Sequence, residues 1–437
     1  MNYKKISAAA VAAGLFATGY AFAQDAEIAT WAGFRKGAVS FTFDDGAPSH
    51  VSDAAPLFDK YGYKGTFNLV VNWSPDWSGF GNMAKNGHEI ASHSNSHGQN
   101  MSGEEASSKK NIEGHIQQKY GIITVAYPNC NVPNESAVLQ NYIVGRICNG
   151  SWQGGSDDMG KDGPSNWAKV PAIMTGSQGT NDIQGPLKST VNKGGWVAFL
   201  THGFSGKNNG SATYSPTDLS TIEGALKYAK DNDKDVWVAP MGHVAMYIKE
   251  RKASKIEPQD GGAAGTMSFK LSHSIADNIS KYDYPLSIRV KSDWSKVEVT
   301  QGDAKLESKV DGGYIYFDAV PNEGTIVVKN ADAQAPESSS SAEPPASSSS
   351  EVAVSSSSET SAFFQPEFEN RGIAAYVDNN GYITVQNAQG LKITVFNSLG
   401  NVVRTTKGIG CEQKVYTGAK GMYIVKIGNQ AKAVNIK

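Results

Sequence analysis

Up to about Arg251, the chain alternates short apolar runs with amphipathic stretches, and this alternation constrains the fold more than any other feature. The apolar runs have the length of strands and are bounded by Gly, Pro, Asn or Asp, whereas the intervening stretches carry apolar residues at helical spacing. The apolar runs are AVSFTF, GTFNLVV, HEIAS, IITVAY, YIVGRIC, GWVAFLT and DVWVAP. Strands that alternate with helices over about 215 residues predict an α/β fold, either a (β/α) barrel or a doubly wound sheet.

The pattern changes after this region. Between Ile256 and Asn330 only strand and turn signals remain, which predicts a small β-sandwich over residues 254–332. Residues 333–362 consist of Ser blocks with Glu and Pro, and their few apolar side chains cannot offset the entropy lost on ordering, so we expect a linker there. Residues 363–437 contain further short strand patterns and predict a separate β module.

The N-terminus has the features of a secretory signal peptide over residues 1–23. Lys4 and Lys5 precede a short apolar run, which ends in the small-residue cleavage pattern Ala21-Phe22-Ala23. A retained membrane anchor is the alternative, but the apolar run is short for a membrane span. We therefore expect residues 24–253 to form the first mature domain of an exported bacterial protein, secreted or held at the cell surface.

Charge and cysteine content exclude two other classes of protein. The chain has 40 Lys and Arg against 42 Asp and Glu, so it lacks the basic surface that nucleic-acid binding requires. Its three cysteines are too few for a disulfide framework. The sequence leaves open whether Cys130 and Cys148 pair, and Cys411 is then left over.

Two adjacent acids, Asp44 and Asp45, follow the first apolar run in the stretch VSFTFDDGAPSH. Gly46 and Pro48 end the strand there, so both carboxylates can reach one cavity at the carboxyl end of the sheet, where βα folds place their sites. Two carboxylates held close together repel each other unless a positive charge lies beside them. A metal ion would meet this need, whereas a solvated Asp-Asp-Gly turn is the alternative.

A second motif strengthens the metal interpretation. His93 and His97 in GHEIASHSNSH are four residues apart, so on a helical turn their imidazoles would share a face. Two surface histidines of a helix would have the same spacing. One carboxylate and two imidazoles leave a zinc-like ion an open position for water, which is the arrangement of a catalytic rather than a structural site.

The remaining chemistry needs a base and an acid. The second carboxylate of the pair is free to take a proton from water, and His202 in VAFLTHGF is placed at a strand end to protonate a leaving group. A loop histidine with a structural hydrogen bond is the alternative for His202.

The motifs TFDDG, HSNSH and FLTHG, in this order, resemble the polysaccharide deacetylase family, also called the NodB-homology or carbohydrate esterase 4 family. The resemblance covers roughly residues 37–252 and implies a distorted (β/α) barrel. It also implies that Asp44 is the catalytic base, that Asp45, His93 and His97 bind a divalent metal, most simply Zn²⁺, and that His202 is the general acid.

Two features depart from the family pattern. The third motif of the family usually carries an arginine that orients the base, but Ala126 in VAYPNCN stands at the aligned position. Pro128 has no N–H, so Asn129 is the candidate donor to the oxyanion and Tyr127 is expected to line the groove. The acidic motif that supports the acid histidine has no clear counterpart; Asp157 and Asp158 are candidates, with a solvated turn as the alternative.

The last 75 or so residues, including KITVFNSLGNVVRTTKG and GMYIVKI, resemble the C-terminal sorting domains of type IX secretion substrates. This resemblance implies that the module is read by secretion machinery. A generic small β-sandwich that docks on a partner is the alternative. For the β-sandwich at 254–332, support of the barrel and glycan binding both stay open.

These observations predict a secreted, metal-dependent hydrolase that removes acetyl groups from an acetylated polysaccharide. O-acetyl xylan and polymers of N-acetylglucosamine are both compatible with the motifs, and the exported multidomain organisation favours xylan. A deacetylase-like barrel that binds glycan without turnover is the alternative function. Four tryptophans in or near predicted loops are candidates to stack on sugar rings or to pack against the barrel: Trp73, Trp77, Trp152 and Trp167.

Overall fold

The structure is a computed structural model that describes residues 26–259, 265–277 and 279–332, together with strand segments between 374 and 436. These segments are 374–377, 382–386, 388, 391–397, 402–407, 412–415, 421–427 and 430–436. The chain divides into two compact units, Met1–Ser339 and Ser340–Lys437. The expected signal peptide, the expected linker at 333–362 and Cys411 lie outside the described residues.

The described part of the first unit contains eighteen strands and seven α-helices. The strands are β1 Ala26–Ile28, β2 Gly37–Phe43, β3 Thr66–Leu69, β4 Glu89–Ser92, β5 Thr124–Ala126, β6 Val144–Arg146, β7 Asp158–Met159, β8 Ile173–Met174, β9 Trp196–Thr201, β10 Val236–Val238, β11 Lys255–Pro258, β12 Thr266–Ser272, β13 Leu286–Lys291, β14 Val297–Gln301, β15 Ala304–Leu306, β16 Ser308–Asp311, β17 Tyr314–Ala319 and β18 Thr325–Asn330. The helices are α1 Ala55–Tyr61, α2 Trp77–Lys85, α3 Glu105–His115, α4 Glu135–Leu139, α5 Gln184–Asn192, α6 Leu219–Asp231 and α7 Met241–Ala253.

The larger sheet has nine strands, and β2 lies near its centre. Its order is β6-β5-β4-β3-β2-β9-β7, with β10 also paired to β2 and β8 to β9. Every pairing is parallel except that of β7 with β9. The result is a curled, distorted α/β barrel, which confirms the predicted fold class. The strand ends that carry the candidate site residues therefore meet at one edge.

The apolar runs of the sequence form buried strands, because helices cover the sheet. Every residue of β2, β3, β4 and β9 is buried, which is typical of parallel strands with both faces covered. On α6, Ile222, Leu226 and Ala229 form the buried face, as their helical spacing predicts. The sequence pattern SPTD suggests a cap at Ser215, but the helix begins only at Leu219 after Asp218, because the Ser215 hydroxyl instead donates to the carbonyl of Thr175.

The predicted β-sandwich consists of two antiparallel sheets with the orders β1-β13-β17-β16 and β11-β12-β18-β14-β15. Strand β1 belongs to this sandwich although it precedes the barrel in sequence, since Ala26–Ile28 pair with β13. The sandwich therefore also contains three residues from the range 24–253, in which the sequence predicts the first domain. Helix α7 packs between the barrel and the sandwich, and eight of its residues are buried.

The second unit contains the strands β19 Ala374–Val377, β20 Ile383–Gln386, β21 Lys392–Asn397, β22 Val402–Lys407, β23 Glu412–Val415, β24 Gly421–Ile427 and β25 Gln430–Ile436. They form two antiparallel sheets, β19-β20-β23 and β22-β21-β24-β25. Buried apolar side chains such as Val395, Val425 and Ile427 form its core. This agrees with the predicted β module. Among all the described residues of the chain, no helix combines the length and apolarity needed to cross a bilayer.

Candidate active site

The adjacent acids lie at the carboxyl end of β2, and both side chains enter the same cavity. Asp44 is 2% exposed and Asp45 is 8% exposed. Consecutive residues of an extended strand point to opposite faces, but Asp45 has φ of 78° and so leaves the strand conformation. Backbone in this left-handed region is strained for a residue with a side chain, and such strain is concentrated at functional sites.

His93 and His97 follow β4, and they do so in a loop rather than on a helix. Residues 93–104 have no regular secondary structure, and both Ser94 and His97 have positive φ. The expectation of a helical turn is therefore wrong, because the backbone reverses its hand twice within four residues. The imidazoles nevertheless meet, with ring centroids 4.9 Å apart.

One carboxylate and two imidazoles converge on a single point. The ligand atoms of Asp45, His93 and His97 all lie within 4.8 Å of one another. Oδ1 of Asp45 is 3.4 Å from Nε2 of His93 and 3.5 Å from Nε2 of His97. This buried oxygen has no hydrogen-bond partner among the described residues, so its lone pairs face the same space as the two nitrogens.

The protonation states of His93 and Asp45 are also compatible with a cation bound between them. Nδ1 of His93 donates to the carbonyl of Ala126 at 2.9 Å, which directs the unprotonated Nε2 to the cluster. Burial lowers the pKa of His93 to about 4, so the ring is neutral. Burial and the neighbouring charge of Asp44 raise the pKa of Asp45 to about 8. A divalent cation between the three ligands would supply the positive charge that this carboxylate needs.

Asp44 has a different environment from its neighbour. Nη2 of Arg146 donates to Oδ2 of Asp44 at 2.5 Å, and Nδ2 of Asn68 donates to Oδ1 at 2.8 Å. Burial by itself would raise the pKa of Asp44, but the charge of Arg146, together with the hydrogen bond from Asn68, outweighs burial and holds it well below its usual range. The carboxylate is therefore ionised and held in one orientation, as a base requires.

Arg146 is a candidate functional residue that the sequence reasoning missed. The guanidinium expected at position 126 comes from the neighbouring strand, since Ala126 of β5 and Arg146 of β6 are paired residues in parallel register. Paired residues of parallel strands project to the same face, so an arginine on either strand can reach the same acid. The available signal in the sequence was a single arginine within the apolar run YIVGRIC. In the structure this side chain is 1% exposed.

Tyr127 and Asn129 line the cavity that contains the cluster. The hydroxyl of Tyr127 donates to the carbonyl of Ala168 at 2.7 Å. The ring of Tyr127 lines the cavity, whereas its oxygen atom is engaged in this structural hydrogen bond. Asn129 lies in the 3-10 turn Pro128–Cys130 with φ of 54° and also lines the cavity. Cys130 is joined to Cys148 by a disulfide, which resolves the question that the sequence left open.

His202 follows β9 and lines the same cavity, which thus contains all seven candidate residues. Burial lowers the pKa of His202, and its buried Nδ1 has no hydrogen-bond partner among the described residues. Asp157 instead accepts from the backbone of Ser151, and Asp158 pairs with Lys193. Neither acid lines the cavity that contains His202, so the structure does not bring either of them to the candidate general acid.

The cavity has a volume of about 540 Å³ and two exposed aromatic side chains at its rim. Trp152 is 59% exposed and Tyr214 is 56% exposed, whereas Trp73 stacks on His97. Trp77 stacks on His115 and Trp167 packs near Trp196, so neither is at the rim. A groove of about 520 Å³ lies on the β-sandwich, but the metal-ligand cluster found in the described residues is in the barrel cavity.

This arrangement can hold a divalent cation in a cavity that also contains the ionised carboxylate of Asp44 and the imidazole of His202. An ion bound by one carboxylate and two imidazoles keeps coordination positions for water and substrate. The site is therefore suited to hydrolysis.

Comparison with known proteins agrees with this geometry for part of the chain. Residues 32–132 match the family model described as polysaccharide deacetylase. The resemblance carried by the motifs is therefore confirmed over this stretch, which includes the Asp44-Asp45 pair and both metal-site histidines. The N-terminal unit thus contains a polysaccharide deacetylase fold with a candidate Asp/His metal site.

Individual proteins are similar to this chain only at low sequence identity. A gellan lyase from Bacillus sp. is 25% identical over 348 residues, which is 71% of this chain. The chain spans only 13% of the length of that relative.

Several solved structures are similar at low sequence identity. A putative polysaccharide deacetylase from Mycobacterium smegmatis is 16% identical, with a TM-score of 0.37, and the match covers 52% of this chain and 94% of that one. A family 4 acetyl xylan esterase from Clostridium thermocellum is 15% identical, with a TM-score of 0.30 and coverage of 47% and 89%. A peptidoglycan deacetylase from Bacillus subtilis is 14% identical, with a TM-score of 0.29 and coverage of 49% and 92%.

Proposed function

We propose that the barrel is a metal-dependent deacetylase that hydrolyses acetyl groups on a polysaccharide. The observation that carries this proposal is the convergence of Asp45, His93 and His97 within 4.8 Å, beside a second carboxylate that Arg146 keeps ionised. A structural metal site has no need for an adjacent ionised base. The family match over residues 32–132 supports the same class of reaction.

Asp45, His93 and His97 would hold the ion, and Zn²⁺ is the metal that their donor set favours. When bound, such an ion would polarise the acetyl carbonyl and lower the pKa of a water molecule. Asp44 then accepts the proton of the attacking water, while Arg146 and Asn68 keep its oxygens in place. The backbone N–H of Asn129 donates to the developing oxyanion, and His202 protonates the departing sugar oxygen or nitrogen.

The substrate would lie across the exposed rim of the cavity. Trp152 and Tyr214 present aromatic faces there, and aromatic faces stack well on the apolar faces of sugar rings. Tyr127 forms part of the floor beside the acetyl group. These aromatic side chains support a polysaccharide substrate, either an O-acetyl ester such as acetylated xylan or an N-acetylglucosamine polymer.

Export completes the proposal. The signal peptide pattern at residues 1–23 supports secretion, and a disulfide between Cys130 and Cys148 is compatible with an oxidising compartment. We include in the proposal that secretion machinery of type IX reads the C-terminal module, on the strength of its sequence resemblance alone.

Acetate release tests the function directly. The purified mature chain is incubated with acetylated xylan and with chitooligosaccharides, with and without a chelator, and Zn²⁺ is then added back. We expect acetate from at least one substrate, loss of release with the chelator, and recovery with Zn²⁺. His93→Ala should bind the ion weakly and recover poorly.

The same experiment separates the alternative of a glycan-binding protein without turnover. That alternative predicts retention of the polymer and bound metal but no acetate from either substrate. Acetate release that is insensitive to complete metal removal would contradict the metal-dependent mechanism.

A further inference from the structure

His97 is the one of the three candidate ligands that does not directly follow a strand. Asp45 directly follows the buried strand β2, and His93 directly follows β4 and is fixed through Ala126. His97 lies four residues further into a loop, and its side chain is 20% exposed against 3% for His93. Something other than a strand must therefore hold this ligand.

The loop is anchored on both sides of His97. Before it, the carboxylate of Glu104 accepts from the backbone N–H groups of Asn95 at 2.8 Å and Ser96 at 3.1 Å. After it, two side-chain amides reach across from the turn Pro128–Asn131. Asn129 donates to the carbonyl of Gly98 at 2.8 Å, and Asn131 donates to the carbonyl of Gln99 at 2.6 Å.

The turn that provides these two amides is itself a strained element. Asn129 has φ of 54° and Cys130 has φ of 60°, which is unfavourable for residues with a side chain. Such a conformation persists only when its surroundings hold it. The disulfide from Cys130 to Cys148 does so, and Cys148 lies two residues after Arg146, the partner of the base.

We propose that the turn Pro128–Asn131, cross-linked by the Cys130–Cys148 disulfide, is a positioning element that sets His97 against Asp45 and His93 and so raises the affinity of the site for its metal. This inference rests on the proposed function in one respect, that these three residues bind a divalent cation. The disulfide joins three parts of the site: the ligand loop, the candidate oxyanion amide of Asn129 and the strand that carries Arg146.

Binding of Co²⁺ alone tests the proposal, without substrate or turnover. Co²⁺ is titrated into the metal-free mature chain, and its visible absorption reports both affinity and ligand geometry. The variants are Asn131→Ala, which keeps the disulfide, and the double variant Cys130→Ser with Cys148→Ser, which introduces no free thiol at either position. Asn141→Ala is the matched control, because Nδ2 of Asn141 also donates to a backbone carbonyl, that of Ala137, at the end of α4.

Loss of a group hydrogen-bonded directly to a metal ligand typically weakens metal binding about 10- to 100-fold. Asn131 and the disulfide act on the loop and not on His97 itself, so we expect the Kd for Co²⁺ to rise by the lower end of this range, about 10-fold, in both test variants. Their absorption spectra should change, while Asn141→Ala should match the wild type in both respects. Wild-type affinity and spectrum in both test variants would overturn the proposal.

The remaining outcomes separate this inference from the proposed function. If thermal unfolding shows that the double cysteine variant is not folded, Asn131→Ala decides, since it leaves the cross-link intact. If the wild type binds no Co²⁺, the proposed function fails and this inference fails with it. Tight binding by the wild type and equally tight binding by folded variants would refute this inference alone.

Discussion

Asp44 and Glu250 are both buried carboxyl groups of the first unit, yet they differ in ionisation. Asp44 accepts hydrogen bonds from Arg146 and Asn68, and its pKa is held well below the usual range despite burial. Glu250, on α7 between barrel and sandwich, is 0% exposed and accepts one hydrogen bond, from the backbone of Tyr284 at 3.1 Å. Burial and the nearby Asp283 raise the pKa of Glu250 to about 8.

The difference lies in what each carboxyl group can pair with. At the strand ends a guanidinium offsets the desolvation of Asp44, so a buried charge persists there. At the interface with the sandwich, Oε2 of Glu250 has no hydrogen-bond partner among the described residues, so the protonated form is favoured. Burial is thus compatible with an ionised carboxylate at Asp44, whereas at Glu250 it favours the protonated form.

Of Asp44 and Glu250, Asp44 is the ionised one, and removing its carboxylate should have the largest effect on activity. Asp44→Asn keeps the size of the side chain but cannot accept a proton, so kcat/KM for acetate release should fall about 1000-fold. Metal content, measured on the purified variant, should stay at the wild-type level because Asp45, His93 and His97 are intact. The exposed Asp231→Asn serves as control, and an Asp44→Asn variant with more than a tenth of the wild-type rate would refute the assignment of the base.

Changing the partner of Asp44 should have the next largest effect. Arg146→Met removes the guanidinium that opposes burial, so the pKa of Asp44 rises and the acid limb of the pH–rate profile moves to higher pH. We expect about a 100-fold loss of rate at pH 7, since the base is then protonated and loosely held. Arg251→Met, which removes an arginine remote from the site, should leave the acid limb unchanged.

The register of β5 and β6 offers a rescue of this variant. Because Ala126 and Arg146 are paired, Ala126→Arg combined with Arg146→Ala places the guanidinium on the neighbouring strand and the same face. Partial recovery of rate and of the acid limb is expected relative to Arg146→Ala alone. If the pH–rate profile of Arg146→Met matched that of the wild type, the pKa of Asp44 would not depend on its ion pair with Arg146.

The smallest effect concerns stability at the interface. The folded chain retains a proton on Glu250 up to about pH 8, whereas the unfolded chain loses it near pH 4.3. Stability therefore decreases with rising pH between these values, by at most about 1.4 kcal/mol per pH unit. Glu250→Gln stays neutral and should remove this contribution, about 2 kcal/mol between pH 6 and pH 7.5.

Urea unfolding of the wild type and Glu250→Gln at these two pH values measures the difference. Exposed Glu257→Gln on β11 is the matched control and should follow the wild type. Equal pH dependence in the wild type and Glu250→Gln would mean that Glu250 is ionised in the folded state, and the contrast with Asp44 would then disappear.

Several features of the site could be predicted because they depend on local pattern. Strand-length apolar runs mark the strands, and the polar residues that follow them, such as Asp44, Asp45 and His93, must lie at the carboxyl edge of a parallel sheet. His97 was placed near them from its spacing, although its helical turn was wrong because nothing local indicates the positive φ of Ser94 and His97. The catalytic and binding roles of all these residues stay predictions until the variants are measured.

Other features required the tertiary structure. Arg146 is 102 residues from Asp44, and only the adjacency of β5 and β6 shows that it lies beside Ala126, the position at which the arginine was expected. The pairing of β1 with the sandwich and the opposite ionisation of Asp44 and Glu250 are likewise invisible in the sequence. Periodicity along the chain determined which segments are strands and helices and which edge carries the polar residues. Which buried charges meet was decided by the order and register of the strands, because that order brings together side chains from segments that no local pattern connects.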